Sequence, residues 1–398
     1  MNRLTWALLL IVASSPALAA RRISVSQLED LLRSLQQDKK SDLDVSTSLK
    51  QVELTEQLTR AQMNNVLHFA PGMLSTEQVY VLEARSATLT PPVSDLPSAP
   101  APDAAGQQAI LARAAAYVKN TYAQLPPLKA TRTTLRFQDN MDAVAASSGI
   151  NGSATEVVTA AGFSNASSFI HFINSTEEHV PIQHGAEQLP AQTNKIPWGA
   201  NKMIALMEPD PDLVMVHREA QESGTIEWLR WELVNGRHTA VYIFSVPRKK
   251  SRLALNVCCF PSVRQTGKAT FYTALTAPAL GGGASGGGVT GNFQTNTDWN
   301  NFKATVPYHG TLFIDPATGT VLRMIVEAEL NPSEVVHQVD TRIDYGPMNV
   351  LGKTLIVPVK TYINTEVVPN GDSGSGGYKT RRTLFTTEFK NYQSSESK

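Results

Sequence analysis

From Thr225 onward, apolar and polar residues alternate with a period of two, the spacing of a half-buried β-strand. TIEWLRWELV, the turn Asn235-Gly236 and HTAVYIFSV predict a hairpin, because Asn-Gly tolerates the positive φ angles of a tight two-residue turn. A strand follows at 252–260. TLFID, Pro316-Ala317-Thr318-Gly319 and TVLRMIVEAEL predict a second hairpin, with Leu322, Met324, Val326, Ala328 and Leu330 on one side and Arg323, Glu327 and Glu329 on the other. Val339–Tyr345, Lys353–Val368 and Tyr378–Tyr392 continue the alternation, separated by Gly346-Pro347, Leu351-Gly352 and a Gly/Ser loop. Amphipathic strands joined by short turns predict one antiparallel sheet with an apolar face and a wet face. Strands and helices do not alternate, which argues against a doubly wound nucleotide-binding sheet.

The N-terminal part carries a helical period instead. Leu28, Leu31, Leu32 and Leu35 form one stripe, and Ser26 with Glu29 predicts a capping box at its start. A second helical stretch is expected over 43–68, stopped by Ala70-Pro71-Gly72, and a third from Ser75 with Gln78. TPPVSDLPSAPAPDAAG, residues 90–106, holds five prolines and reads as an extended linker. A helix is expected at 107–123, then a strand from Thr131 to Phe137. Residues 139–205 show no clear period. Pro209 and Pro211 among acids, followed by LVMVHREAQ, predict a short helix ending near Gly224.

Before all of this stand Arg3, an apolar run from Leu4 to Ala13, and Ala17-Leu18-Ala19, the pattern of a signal peptide cleaved after Ala19. The apolar run is about half the roughly 20 residues a spanning helix needs. The mature chain is therefore expected to be extracytoplasmic, periplasmic or secreted, without a transmembrane segment. The expected organisation is a signal peptide over 1–19, a helical unit over 20–89, the linker, and an α+β domain over 107–398. Two glycine-rich loops, 281–292 and 370–377, interrupt that domain.

With 35 Lys+Arg against 35 Asp+Glu in 398 residues, bulk basicity gives no reason to bind nucleic acid. Two cysteines cannot staple a disulfide-rich scaffold, so stability must come from an apolar core. Cys258 and Cys259 are adjacent in a strand and should face opposite ways; an oxidising compartment would also permit a vicinal disulfide.

Candidate chemistry is thin. Gly283-Ala284-Ser285-Gly286-Gly287 fits G-x-S-x-G but lacks the flanking strand and helix that a nucleophile elbow needs. Gly371-Asp372-Ser373-Gly374 resembles a protease serine loop, and coincidence in a Gly/Ser stretch is the better reading. The eight histidines, His68, His171, His179, His184, His217, His238, His309 and His337, show no zinc spacing. Glu177, Glu178, His179 and His184 are the densest group, with His217 a third histidine that folding could add. No motif calls for a cofactor. In the sheet, Trp228, Trp231, Tyr242, Phe244, Phe313, Met324, Phe385 and Phe389 read first as core. Of these, Trp228, Trp231, Phe313, Met324, Phe385 and Phe389 are the candidate ligand-lining set. Strict alternation puts Trp228 and Trp231 on opposite faces, so part of the second face should also be covered, by a helix or by a bound apolar ligand.

The segments WLRWELVNGRHTAVYIFSVPRKKSRLALNV, YHGTLFIDPATGTVLRMIVEAEL and IDYGPMNVLGKTLIVPVK resemble an uncharacterised family of secreted bacterial proteins. Their order of hairpins also resembles, more loosely, the open half-barrel of LolA-like lipoprotein carriers over residues 225–392. That resemblance implies a curved sheet that holds acyl chains on a concave apolar face, with no catalytic residue to carry over. The expected fold is thus α+β: a helical unit, a Pro-rich linker, and a curved antiparallel sheet, an open half-barrel, with one or two covering helices. The expected role is non-catalytic binding of an apolar or lipid ligand, or of a partner segment. The alternatives are a hydrolase built on an unrecognised site such as Ser285, Ser373 or His179, and an envelope assembly protein whose partner binds the helical unit.

Overall fold

The computed structural model describes residues 21–139, 170–188, 206–207, 210–266, 294–367 and 381–395. The expected signal peptide, both glycine-rich loops, Ser285 and Ser373 lie outside these residues. So do the side chains of Cys258 and Cys259, although their backbone belongs to a strand.

The helical unit opens with β1 (Arg21–Ile23) and α1 (Val25–Gln37), followed by α2 (Asp42–Lys50), β2 (Val52–Leu54), α3 (Arg60–His68) and α4 (Met73–Ser86). The capping box of α1 is Ser24 with Gln27, not Ser26 with Glu29, because the helix begins two residues earlier than the pattern suggests. The expected helix over 43–68 is broken: Val52–Leu54 leaves helix to pair in parallel with β1. α4 takes its N-terminal cap from another helix. The Asp42 carboxylate accepts the backbone N–H groups of Leu74 and Ser75 at 3.0 and 2.9 Å, and the Ser75 hydroxyl at 2.6 Å. Leu28, Leu32, Val45, Leu49, Val66, Val79 and Leu82 close a core of the unit's own.

The linker is tied down at points along its length. Gln57 donates its backbone N–H to the Thr90 carbonyl, Pro91 and Pro92 are buried, and residues 93–95 form a 3-10 turn. α5 (Ala104–Asn120) then starts inside the expected linker, capped by Asp103.

The remaining strands are β3 (Leu128–Asp139), β4 (Ile170–Gln183), β5 (Ala186–Glu187), β6 (Leu206–Met207), β7 (Thr225–Val234), β8 (Arg237–Val246), β9 (Ala254–Thr266), β10 (Gln294–Thr305), β11 (Tyr308–Ile314), β12 (Val321–Ala328), β13 (Val336–Val350), β14 (Lys353–Val367) and β15 (Arg381–Ser394). Ten of them form one curved antiparallel sheet in the order β5-β4-β3-β15-β14-β13-β12-β11-β8-β7, which does not close on itself. β10, β9 and β6 make a second, small sheet. Asn235 and Gly236 take φ values of 51° and 77°, as the β7–β8 turn requires. Gly346-Pro347 does not separate strands; β13 runs through it, paired with β14.

Both faces of the large sheet are covered. On the near face, Ile110, Ala114, Tyr117 and Val118 of α5 join Leu213, Val216 and Ala220 of α6 (Leu213–Ser223). Together they pack on Tyr242, Phe244, Leu312, Met324, Ile343, Phe385 and Phe389. On the far face, Val81 and Ala84 of α4, with Ala87, bury against Phe137, Ile170, Tyr362 and Leu384. The expectation of a wet second face is therefore corrected over this region.

Candidate functional site

Two bulges decide what each face presents. Pairing of β7 with β8 shifts between Trp228 and Arg230, so Leu229 is the extra residue. Trp228 and Trp231 consequently share the near face, with ring centroids 4.8 Å apart, and the expected opposite placement is corrected. Trp228 also meets Tyr242 edge-on at 5.5 Å, and Trp231 lies 4.3 Å from His238. A second shift, between β11 and β12, leaves Leu322 unpaired. Val321, Met324 and Val326 then face the near side, whereas Leu322 packs with Phe313, Val241 and Ile325 on the far side. Leu322, expected beside Met324, is found across the sheet from it.

The six candidate lining residues thus do not form one surface. Met324, Phe385 and Phe389 lie in the layer beneath α5 and α6, at 0%, 2% and 3% exposure. Trp228 and Trp231 are half-buried at the end of the same layer. Phe313 is on the other face, under the Arg323 guanidinium at 5.2 Å. The near-face layer is apolar and continuous, and half-buried Leu111, Met215, Met348, Leu355 and Ile356 rim it.

The far face carries a row of buried charges that the alternation assigned to water. The Asp344 carboxylate accepts Arg323 Nε at 2.6 Å and Arg342 Nε and Nη2 at 3.0 and 2.7 Å. Glu232 lies 3.6 Å from Arg323 Nη1 and accepts Arg230 Nη2 at 2.7 Å. Burial alone would raise the Asp344 pKa, but the two guanidinium groups reverse this and hold it well below the usual carboxylate range. Arg342 extends the row to the helical unit, donating Nη1 to the Ala87 carbonyl at 2.9 Å and lying 5.1 Å over the Tyr362 ring. Glu83 of α4 accepts Lys360 Nζ at 2.9 Å and the Tyr362 hydroxyl at 2.6 Å. These charges largely neutralise one another and clamp α4 to the sheet, with Glu83 Oε2 the one oxygen of the clamp buried without a partner.

Beside this row lies a titratable group of a different kind. His309, Glu327 and Asp340 stand side by side across β11, β12 and β13. His309 contacts Glu327 at 3.0 Å and Glu329 at 3.3 Å. Burial pushes the Asp340 carboxyl up to about 7, against the hydrogen bond it accepts from Gln338, while the Glu327 charge adds to the rise. Asp340 is thus a carboxyl able to change charge near neutrality. Its polar neighbours are Gln338, Glu327 and His309.

The histidine group named from sequence is dispersed. His179 sits opposite Thr131 on β4, His184 Nδ1 lies 3.0 Å from the Ala123 carbonyl, and His217 is buried in α6. Desolvation pushes His217 down to about 4, and its Nε2 has no hydrogen-bond partner. Glu178 pairs with Arg132. Among the described residues no three His, Cys, Asp or Glu side chains gather as metal ligands, and no helix is long and apolar enough to cross a membrane.

The buried charges escape any reading that takes each strand by itself. Arg323 and Asp344 are cross-strand neighbours, and Arg342 is two residues from Asp344 on the same face, so pairing the strands exposes opposite charges in register. Comparison with known protein families, with curated proteins and with solved structures finds no match to this chain.

Proposed function

We propose that this chain is a non-catalytic extracytoplasmic protein that holds an apolar ligand between the sheet and the helices α5 and α6. The observation that carries this reading is the continuous apolar layer there, which reaches the surface along a rim of half-buried apolar side chains. The carriers that the hairpin order resembles hold acyl chains on a concave apolar face of such a sheet. The buried ionic groups pair with one another, which suits a scaffold better than a reaction centre. The test is extraction of purified protein for lipid mass spectrometry, with titration of a fluorescent long-chain acyl probe. Saturable binding that Met348→Glu and Leu355→Glu weaken is expected. Absence of both co-purified lipid and saturable probe binding overturns the reading.

A second reading, an envelope partner bound by the helical unit, has one observation in its favour. Leu43, Met73 and Leu74 are 61%, 85% and 44% exposed. The Asp42 cap draws the starts of α2 and α4 together, so these three gather on one outer surface. Met73→Glu with Leu74→Glu should then abolish recovery of a crosslinked partner while leaving thermal unfolding unchanged; undiminished crosslinking rejects it.

A further inference from the structure

We propose that the Trp228–Trp231 edge of the sheet is a receptor for a proline-rich extended segment of a partner protein, a place held in the free chain by its own residues 97–102. This goes beyond the apolar-layer reading and does not depend on it.

β7 is the edge strand at one end of the large sheet. The bulge at Leu229 turns Trp228 and Trp231 to one side, and His238 extends their rings into an aromatic platform. Both tryptophans remain half-buried and His238 is exposed. The chain passes this platform on its way from α4, on the far face, to α5, on the near face. The passing segment is Pro97-Ser98-Ala99-Pro100-Ala101-Pro102, with two prolines at the spacing P-x-x-P. Trp231 Nε1 donates to the Pro100 carbonyl at 2.8 Å. Prolines hold a chain extended and remove its own backbone donors, so its carbonyls project and accept from outside. An aromatic surface with an indole N–H matches that chemistry, because the preformed extended chain loses little entropy on docking.

The internal occupant is lightly held. Ser98, Ala99, Pro100 and Ala101 are exposed, and the Trp231 bond is the one side-chain hydrogen bond that the described structure gives to residues 97–101. The next anchors lie at Pro102, whose carbonyl accepts Gln107 Nε2 at 2.8 Å, and at Gln107, whose carbonyl accepts the Tyr242 hydroxyl at 3.1 Å. A tethered segment competes at an effective concentration on the order of millimolar, so a free peptide of the same kind binds weakly until the tether is weakened.

The experiment titrates the synthetic peptide Leu-Pro-Ser-Ala-Pro-Ala-Pro, the sequence of residues 96–102, into the full chain. The readout is the Trp231 indole N–H resonance, assigned by its loss in Trp231→Phe. A variant with Pro97, Pro100 and Pro102 replaced by glycine removes the pre-extension of the internal competitor. Peptide affinity at least tenfold higher for this variant than for the parent, and lost on adding Trp231→Phe, is expected. If neither form shifts the indole resonance saturably, the proposal fails. If the triple-glycine variant instead dimerises with concentration and the peptide does not dissociate it, a second copy of the chain is the occupant and the partner assignment is overturned. Should that variant unfold, the same titration of the intact parent at millimolar peptide decides. Loss of acyl-probe binding would not affect any of these outcomes.

Discussion

Replacing Asp340 by Asn should change how stability depends on pH, in a direction fixed by where the carboxyl sits. Asp340 is buried on β13 between Glu327 of β12 and Asn364 of β14, with Gln338 and Arg342 on its own strand and His309 beyond Glu327. Its folded pKa of about 7 lies above the ordinary 3.8. The folded state therefore binds the proton more tightly than the unfolded chain does. The stability this contributes is fully present below about pH 4 and is lost as pH rises through 7. At roughly 1.4 kcal/mol per unit, the part lost between pH 5 and pH 8 is on the order of 2–3 kcal/mol. The amide that replaces the carboxyl carries no charge at either pH, and its oxygen can still accept from Gln338. Relative to the parent, Asp340→Asn should thus be near-neutral only below about pH 4 and stabilising above it, with the stabilisation larger at pH 8 than at pH 5 by about 2–3 kcal/mol. Urea unfolding midpoints of both proteins at pH 5, 6, 7 and 8 measure this. A gap between parent and variant that stays constant across the series refutes the reasoning, because Asp340 would then titrate alike in both states.

Other perturbations have equally definite outcomes. The hydroxyls of Thr365 and Thr383 are buried without partners on neighbouring strands, so Thr365→Val and Thr383→Val should each raise stability by about 1 kcal/mol, read from urea unfolding. Glu83→Ala strips Lys360 and the Tyr362 hydroxyl of their acceptor at the α4–sheet contact. It should cost about 3 kcal/mol and open the 87–103 segment to proteolysis, whereas Glu83→Gln should cost less; parent-like stability of Glu83→Ala would count against the clamp. At Gly310 an added Cβ would stand 2.0 Å from the Ile325 carbonyl oxygen, so Gly310→Ala must spread β11 from β12 and should cost about 3 kcal/mol in thermal unfolding.

Much of the fold follows from local signals. The Asn-Gly turn, the Asp315 to Gly319 turn, the acid-and-proline start of α6 and the leucine stripe of α1 each depend on residues a few positions apart, so the chain announces them without help. The antiparallel sheet follows because strands joined by such turns have no other way to pair. What lay beyond the sequence depends on register. A bulge adds one residue to one strand and sends every later side chain to the opposite face, and nothing in a leucine such as Leu229 or Leu322 marks it as the residue left over. The pairing partner decides which residue is left over, and that partner is set by packing across the whole sheet. For this reason the tryptophans come together and Leu322 leaves Met324. For the same reason Arg323, Arg342 and Asp344 look like surface residues along their own strands. They become a buried ionic row only when β12 and β13 lie side by side and α4 closes over the end of the row. By itself the sequence determined the hairpin strands from Thr225 onward and the helices with a clear stripe or cap, but not β2 or β4, which only pairing with other strands makes extended; the tertiary structure also decided which faces the strands show, because facing is a property of neighbours and not of the chain.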